Sequence, residues 1–96
     1  MLAVVVGVIV WELEVLGSQS LKDKRRVVKS LKERLQSRFR VSAAETNYHD
    51  LWQRAELAAS VVSGRQAQVE EVLDSMDRLI TGDMRARVIS ARRSYH

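Results

Sequence analysis

The sequence predicts an α+β fold of the ferredoxin-like type, also called an alpha-beta plait. Its βαββαβ order makes a four-stranded antiparallel sheet with two helices on one face. Three observations carry this. Residues 21–35 and 69–80 place apolar side chains at helical spacing, and each run is preceded by a serine suited to capping. Four further stretches are β-branched or alternate in the manner of strands, and they fall before, between and after the helical runs in the order the fold requires. No proline, repeat or low-complexity tract marks a linker, so residues 1–96 read as one domain.

Val4 to Val15 is the first strand, so continuously apolar that it reads as a central strand covered on both faces. Gly17 to Ser20 turns the chain into the first helix. Ser20 stands three residues before Asp23, a capping pair in which the hydroxyl accepts from a first-turn amide while the carboxylate meets the positive helix end. Leu21, Val28, Leu31 and Leu35 form the apolar stripe, and the helix is expected to end near Ser37 or Arg38. Phe39 to Glu45 is a short second strand, Thr46 to Gln53 a connection, and Ala55 to Val62 a third strand with apolar residues on both faces. Ser63 and Gln66 suggest a second capping box. Val69, Val72, Leu73, Met76, Leu79 and Ile80 give the second helix its inner stripe, Glu70, Glu71, Asp74 and Asp77 its acidic exterior, and Gly82 its end. Met84 to Ser94 is the fourth strand, with Arg85 and Arg87 on one side and Ala86 and Val88 on the other.

Strand register follows from the charges. Glu12 and Glu14 share a face with Val6, Val8 and Val10, so that row belongs to the open face of the sheet, and Ile9, Trp11 and Leu13 point to the helices. A valine row left in water invites cover, so the sequence predicts a homodimer through the open face or an edge strand. The competing expectation is that the long arginine stems of the fourth strand cover it.

Composition excludes several classes of function. Without cysteine there is no disulfide framework, iron-sulfur cluster, zinc-thiolate site or thiol catalysis. The apolar run from Leu2 to Trp11 is interrupted by Glu12 and Glu14, lacks a basic leader and falls short of the roughly 20 residues that cross a bilayer. No membrane span is expected, and the reading is a cytoplasmic protein. The net charge of +4 is unevenly spread: residues 18–40 carry nine Lys and Arg against two acids, while residues 41–84 carry eight acids against three Arg. Such segregation attracts polyanions or acidic protein surfaces.

The strongest candidate site is the outer flank of the first helix. Lys22, Arg25, Arg26 and Lys29 recur at i, i+3, i+4 and i+7, with Lys32 one step further, a row suited to phosphate contacts. A second candidate, a specificity loop, gathers Tyr48, His49, Asp50, Trp52 and Arg54 between two strands, where a base or partner side chain can stack on an exposed ring. The structural reading of that loop makes Leu51 and Trp52 a plug over the core, Asp50 the turn cap, and Arg54 the partner of Glu45 or Glu56. His49 and Asp50 are adjacent on a loop, with no nucleophile or second ligand at a known spacing, so no catalytic residue, metal site or cofactor is expected. The third strand lacks the aromatics with which an RNA-recognition motif stacks bases, so RNA is expected on the helix and not on the sheet.

The run Ser20-Leu-Lys-Asp-Lys-Arg-Arg-Val27, followed by Ala44-Glu45 and by Asp50-Leu-Trp-Gln-Arg-Ala55, resembles the YlxP-like proteins, a bacterial family of small domains whose function is unassigned. The resemblance implies a ferredoxin-like fold and, from the family's association with translation and ribosome-maturation genes, a connection with RNA. It carries over no catalytic residue. The sequence thus points to a non-enzymatic domain binding structured RNA or a ribosomal particle through its first helix. The alternative is a protein-interaction module docking on an acidic partner surface. A small-molecule regulatory domain using the dimer groove is a third reading, without a glycine-rich phosphate loop to support it.

Overall fold

The computed structural model of the chain describes residues 4–96; Leu2 and Ala3 of the opening apolar run lie outside the described residues. The elements are β1 (Val5–Val15), α1 (Leu21–Phe39), β2 (Ser42–Asn47), β3 (Arg54–Ser63), α2 (Gln66–Thr81) and β4 (Ala86–Tyr95). The four strands form one antiparallel sheet in the order β2-β3-β1-β4, the ferredoxin-like arrangement that the sequence predicts.

The core lies between one face of the sheet and the two helices. Along β1, Ile9, Trp11, Leu13 and Val15 are buried, while Val6, Val8, Val10, Glu12 and Glu14 are half-buried on the opposite face, so the register expected from the charges holds. Coverage on both faces does not: β1 and β3 are each fully buried on the helix side alone. The outer face has no helix over it for a simple reason, since both crossovers place their helices on the same side. Val28, Leu31 and Leu35 of α1 and Val69, Leu73, Met76 and Ile80 of α2 close the core, each fully buried aliphatic side chain stabilising the fold by about 1.5–3 kcal/mol. The Trp11 indole N–H donates to the Asp77 carboxylate at 2.9 Å, so Asp77 ties α2 to β1 and is not simply part of an acidic exterior.

Gly7 lets α2 approach the sheet. A Cβ at this position would lie 2.3 Å from Val69 Cγ1, well inside van der Waals contact. Against β1, strand β4 carries a bulge: Glu12 pairs with Ser90 and Leu13 with Val88, leaving Ile89 as the extra residue. That one-residue shift puts Arg92 opposite Val10 on the open face and Arg93 opposite Ile9 on the helix face, where Arg93 meets Asp74 of α2 at 2.7 Å.

Several element ends differ from expectation. Helix α1 runs on to Phe39, because Phe39 sits four residues beyond Leu35 and packs against the core, and Arg40 then ends the helix in the left-handed region at φ 52°. β2 consequently starts later, at Ser42, and a bulge between Glu45 and Asn47 carries its pairing past Glu45. The second capping box does not form. Arg65 occupies the N-cap of α2 without a side-chain cap bond, and the Ser63 hydroxyl instead accepts from the Arg65 amide and donates to Gln68.

Candidate nucleic-acid interface

Helix α1 begins as the sequence predicts. The Ser20 hydroxyl accepts from the Asp23 amide at 3.1 Å, and the Asp23 carboxylate reaches back to the Gln19 amide at 3.3 Å. Beyond this cap, Val28, Leu31 and Leu35 turn inward, which leaves Lys22, Arg25, Arg26 and Lys29 exposed and Lys32 half-buried along one flank. Gln36, on the same flank, donates to the Ala43 carbonyl, so the basic row overlooks the β2 edge of the sheet.

Among the described residues, Lys22, Arg25, Arg26 and Lys32 meet no carboxylate within ion-pair distance, and Lys29 has only an exposed contact of 4.0 Å with Glu33. Most arginines elsewhere are engaged. Arg34 and Arg85 share Asp83, at 2.8 and 2.7 Å, and the hydrogen bond from Arg85 outweighs burial to hold the Asp83 carboxyl down at about 2. On the open face Arg54 pairs with Glu12, Arg87 with Glu14 at 2.9 Å, and Arg92 with Glu56 at 3.4 Å. Because Arg92 sits on β4 and Glu56 on β3, this last pair crosses β1 beside Val10, which gives the arginine-stem cover foreseen for part of the valine row. Arg38 and Arg78 flank a groove between the helices, and Arg40 and Arg65 stand at element ends.

Lys24 stands one residue before Arg25, within the basic run. It is fully buried, with 0% exposure, and its ammonium donates to Glu45 Oε2 at 2.7 Å, to the Tyr48 carbonyl at 2.9 Å and to the His49 carbonyl at 3.2 Å. All three donors of the ammonium are used, so the charge is both paired and hydrogen-bonded. A sequence signal exists: Lys24 falls on the Leu21, Val28, Leu31, Leu35 stripe, and Glu45 faces the helices from β2.

This lysine organises the loop between β2 and β3. Tyr48 takes a left-handed φ of 61°, the Asn47 side chain accepts from the Tyr48 amide at 2.8 Å, and the Leu51 amide donates to the Tyr48 carbonyl at 3.1 Å. Asn47, not Asp50, therefore caps the turn, its Oδ1 accepting from the amide of the residue that adopts the left-handed conformation. Arg54 pairs with Glu12 and not with Glu45 or Glu56, because Glu45 is turned inward to Lys24. The plug reading also fails: Leu51 is 48% and Trp52 53% exposed. His49 is exposed, with its Nε2 3.2 Å from the Glu45 carbonyl oxygen. The loop's far end is tied to the start of α1, since the Gln53 carbonyl accepts from the Val15 amide and the Gln53 side chain donates to the Ser18 carbonyl. The structure thus brings the two predicted groups, the N-terminal half of the basic row and the 48–52 loop, to one end of the molecule. Exposed Leu16 and Met84 lie on neighbouring loops of that end. No group of three or more His, Asp or Glu side chains converges among the described residues, and no helix there is long and apolar enough to cross a membrane.

The family described as Protein of unknown function (DUF503) matches residues 6–93. The chain belongs to this family. The uncharacterized protein YlxP of Bacillus subtilis (strain 168) is 43% identical over 54 residues, a stretch covering 56% of this chain and 59% of that protein, so the match spans somewhat over half of each. Among solved structures, a de novo designed protein with ferredoxin fold is 16% identical, with 100% of this chain and 84% of that one covered at a TM-score of 0.49. The Bacillus subtilis YXEP protein, a dinuclear metal binding peptidase from M20 family, is 15% identical, with 99% of this chain but 26% of that one covered, also at 0.49. The family match includes the whole of α1 and the 48–54 loop, so both candidate groups lie within it.

Proposed function

We propose that this chain is a non-enzymatic cytoplasmic domain that binds structured RNA, or a ribonucleoprotein particle, through phosphate contacts from Lys22, Arg25, Arg26, Lys29 and Lys32. The observation that carries the reading is the unequal use of charge. Arginines across the sheet are matched to nearby acids, whereas in the row on α1, among the described residues, only Lys29 meets one, in an exposed 4.0 Å contact with Glu33. Lys22 is moreover placed in the first turn, where the positive end of the helix disfavours a cation by about 0.3–1 kcal/mol. A polyanion laid along this flank relieves that repulsion and releases its own counterions. The test is a salt titration of binding to folded ribosomal RNA fragments, comparing the parent with a folded Lys22→Glu, Arg26→Glu, Lys29→Glu variant. The expected result is loss of affinity and a salt slope shallower by about 2 to 3, at 0.7–0.9 per lost contact. Equal binding by both proteins, or binding by neither, counts against the reading.

A second copy on the open face is part of the proposal. Val8 floors a shallow depression of about 200 Å³ with Ala44, Ala58 and Ser60, and Val62 beside it is exposed. Sedimentation should show a dimer that Val8→Arg dissociates; a monomeric parent removes this part alone. The alternative, docking on an acidic protein surface, is favoured by the aliphatic Leu16, Leu51 and Met84 near the basic row, for which RNA has little use. RNA competing poorly against an acidic protein partner would select it.

A further inference from the structure

We infer that the RNA held by α1 is recognised where a duplex gives way to unpaired nucleotides, with one unpaired base stacking on the Trp52 indole while Lys22, Arg25 and Arg26 hold the phosphates beside it. This rests on the RNA-binding reading and adds the class of RNA to it.

The two tryptophans of the chain have opposite surroundings. Trp11 is fully buried with its N–H bonded to Asp77, whereas Trp52 is 53% exposed in a loop and no hydrogen bond engages its indole among the described residues. An indole left half in water forfeits burial energy that a side chain of its size normally contributes, and its flat face is a surface on which any base can stack. Exposure alone would be unremarkable in a slack loop, but this loop is held at both ends. Lys24 fixes the carbonyls of Tyr48 and His49, the Asn47 side chain and the Leu51 amide close the turn, and Gln53 is bonded to Val15 and Ser18. Little ordering entropy remains to be lost when a ligand meets the ring.

The same bonds place the loop at the cationic end of α1. Ser18 is two residues ahead of the Ser20 cap, and Lys24 lies between Lys22 and Arg25 on the helix. One end of the molecule therefore carries both the exposed cations of the first turns of α1 and an exposed apolar ring. A continuous duplex presents phosphates but keeps its base faces stacked on one another, so it uses only half of this surface. A stem carrying a loop, a bulge or a single-stranded overhang uses both.

The test uses the whole chain and two synthetic RNAs: a stem closed by a loop of unpaired nucleotides, and the same stem as a blunt, fully paired duplex. Affinity is measured across a range of salt together with tryptophan emission, for the parent, Trp52→Leu and Trp52→Phe. Trp52→Leu keeps an apolar side chain and removes the ring; its remaining emission comes from buried Trp11 and should not respond to RNA. The looped RNA is expected to bind the parent more tightly than the blunt duplex and to quench its emission. Trp52→Leu should weaken looped RNA roughly 5- to 150-fold, leave the duplex and the salt slope unchanged, and be partly rescued by Trp52→Phe. If looped and blunt RNA bind the parent alike, or if Trp52→Leu leaves looped RNA unaffected, stacking is refuted while phosphate binding by α1 stands. If neither RNA binds, both readings fall together.

Discussion

Replacing Lys24 by Met removes a cation that the fold has surrounded. The methionine fills similar volume, so the change is chiefly the loss of three bonds: to Glu45 at 2.7 Å, and to the Tyr48 and His49 carbonyls at 2.9 and 3.2 Å. Breaking a buried ion pair from one side costs about 3–5 kcal/mol, because the stranded charge has neither water nor partner. The Glu45 side chain keeps 17% exposure and can recover some water, and residues 49–52 are exposed, so the lower end applies. We expect a loss of about 3 kcal/mol, which for a chain of 96 residues lowers Tm by roughly 12–24 °C. The assay is urea and thermal unfolding followed by circular dichroism, with hydrogen exchange at the Leu51 amide as a local readout of the loop. Lys24→Met combined with Glu45→Gln should recover at least about 1 kcal/mol of the loss, since the double variant no longer strands a carboxylate. A single-variant loss below about 1 kcal/mol, or no recovery in the double variant, refutes the view of Lys24 as a paired internal anchor.

Three further outcomes follow from the packing and charge. Asp83, whose side chain is only 6% exposed and is held at about 2 by Arg85, against an ordinary 3.8, should contribute about 2 kcal/mol above pH 4. Its folded-state value is depressed, so that stability disappears as pH falls from about 4 through 2; urea unfolding of the parent and Asp83→Asn should differ at pH 7 and converge near pH 2. Gly7→Ala should destabilise by about 1–3 kcal/mol through the 2.3 Å approach to Val69 Cγ1, and Val69→Ala in the same chain should remove most of that penalty; a stabilised Gly7→Ala contradicts the close approach. Lys22→Glu should move two measurements in opposite directions, raising unfolding stability by about 0.3–1 kcal/mol while weakening RNA binding, a combination that a merely structural lysine does not give.

The parts of the fold legible in sequence were those written in local periodicity. The helix stripes and strand alternations repeat every few residues, the Ser20 cap lies within one turn of its helix, and the acids at 12 and 14 were enough to orient β1. What escaped depended on pairings between distant segments. Ile89 carries no mark of a bulge, which becomes visible only when β4 lies against β1, and it decides the faces of Arg92 and Arg93. Lys24 was hidden by its company, since a lysine in a basic run looks solvated until Glu45 and two carbonyls are brought beneath it. The same event displaced the expected partner of Arg54 and freed the loop from its supposed role as a plug. The basic row itself was legible, but that among the described residues only Lys29 of its members meets an acid was not, because which cations the acids of the sheet and of α2 engage is a tertiary fact.

The ion pairs of the sheet also have a meaning for mutation. Each acid that engages an arginine of the sheet, such as Glu14 with Arg87 or Asp74 of α2 with Arg93, neutralises a cation that would otherwise compete with α1 for the polyanion proposed above. Losing one of these carboxylates does little to a fold held by its core, because surface pairs contribute about 0–1 kcal/mol. It does uncover a rival landing place on another side of the molecule. On the proposed RNA-binding reading, such a change is expected to register as stronger RNA capture in a crude binding assay and as poorer performance wherever orientation matters, so these acids would guard which way the domain faces.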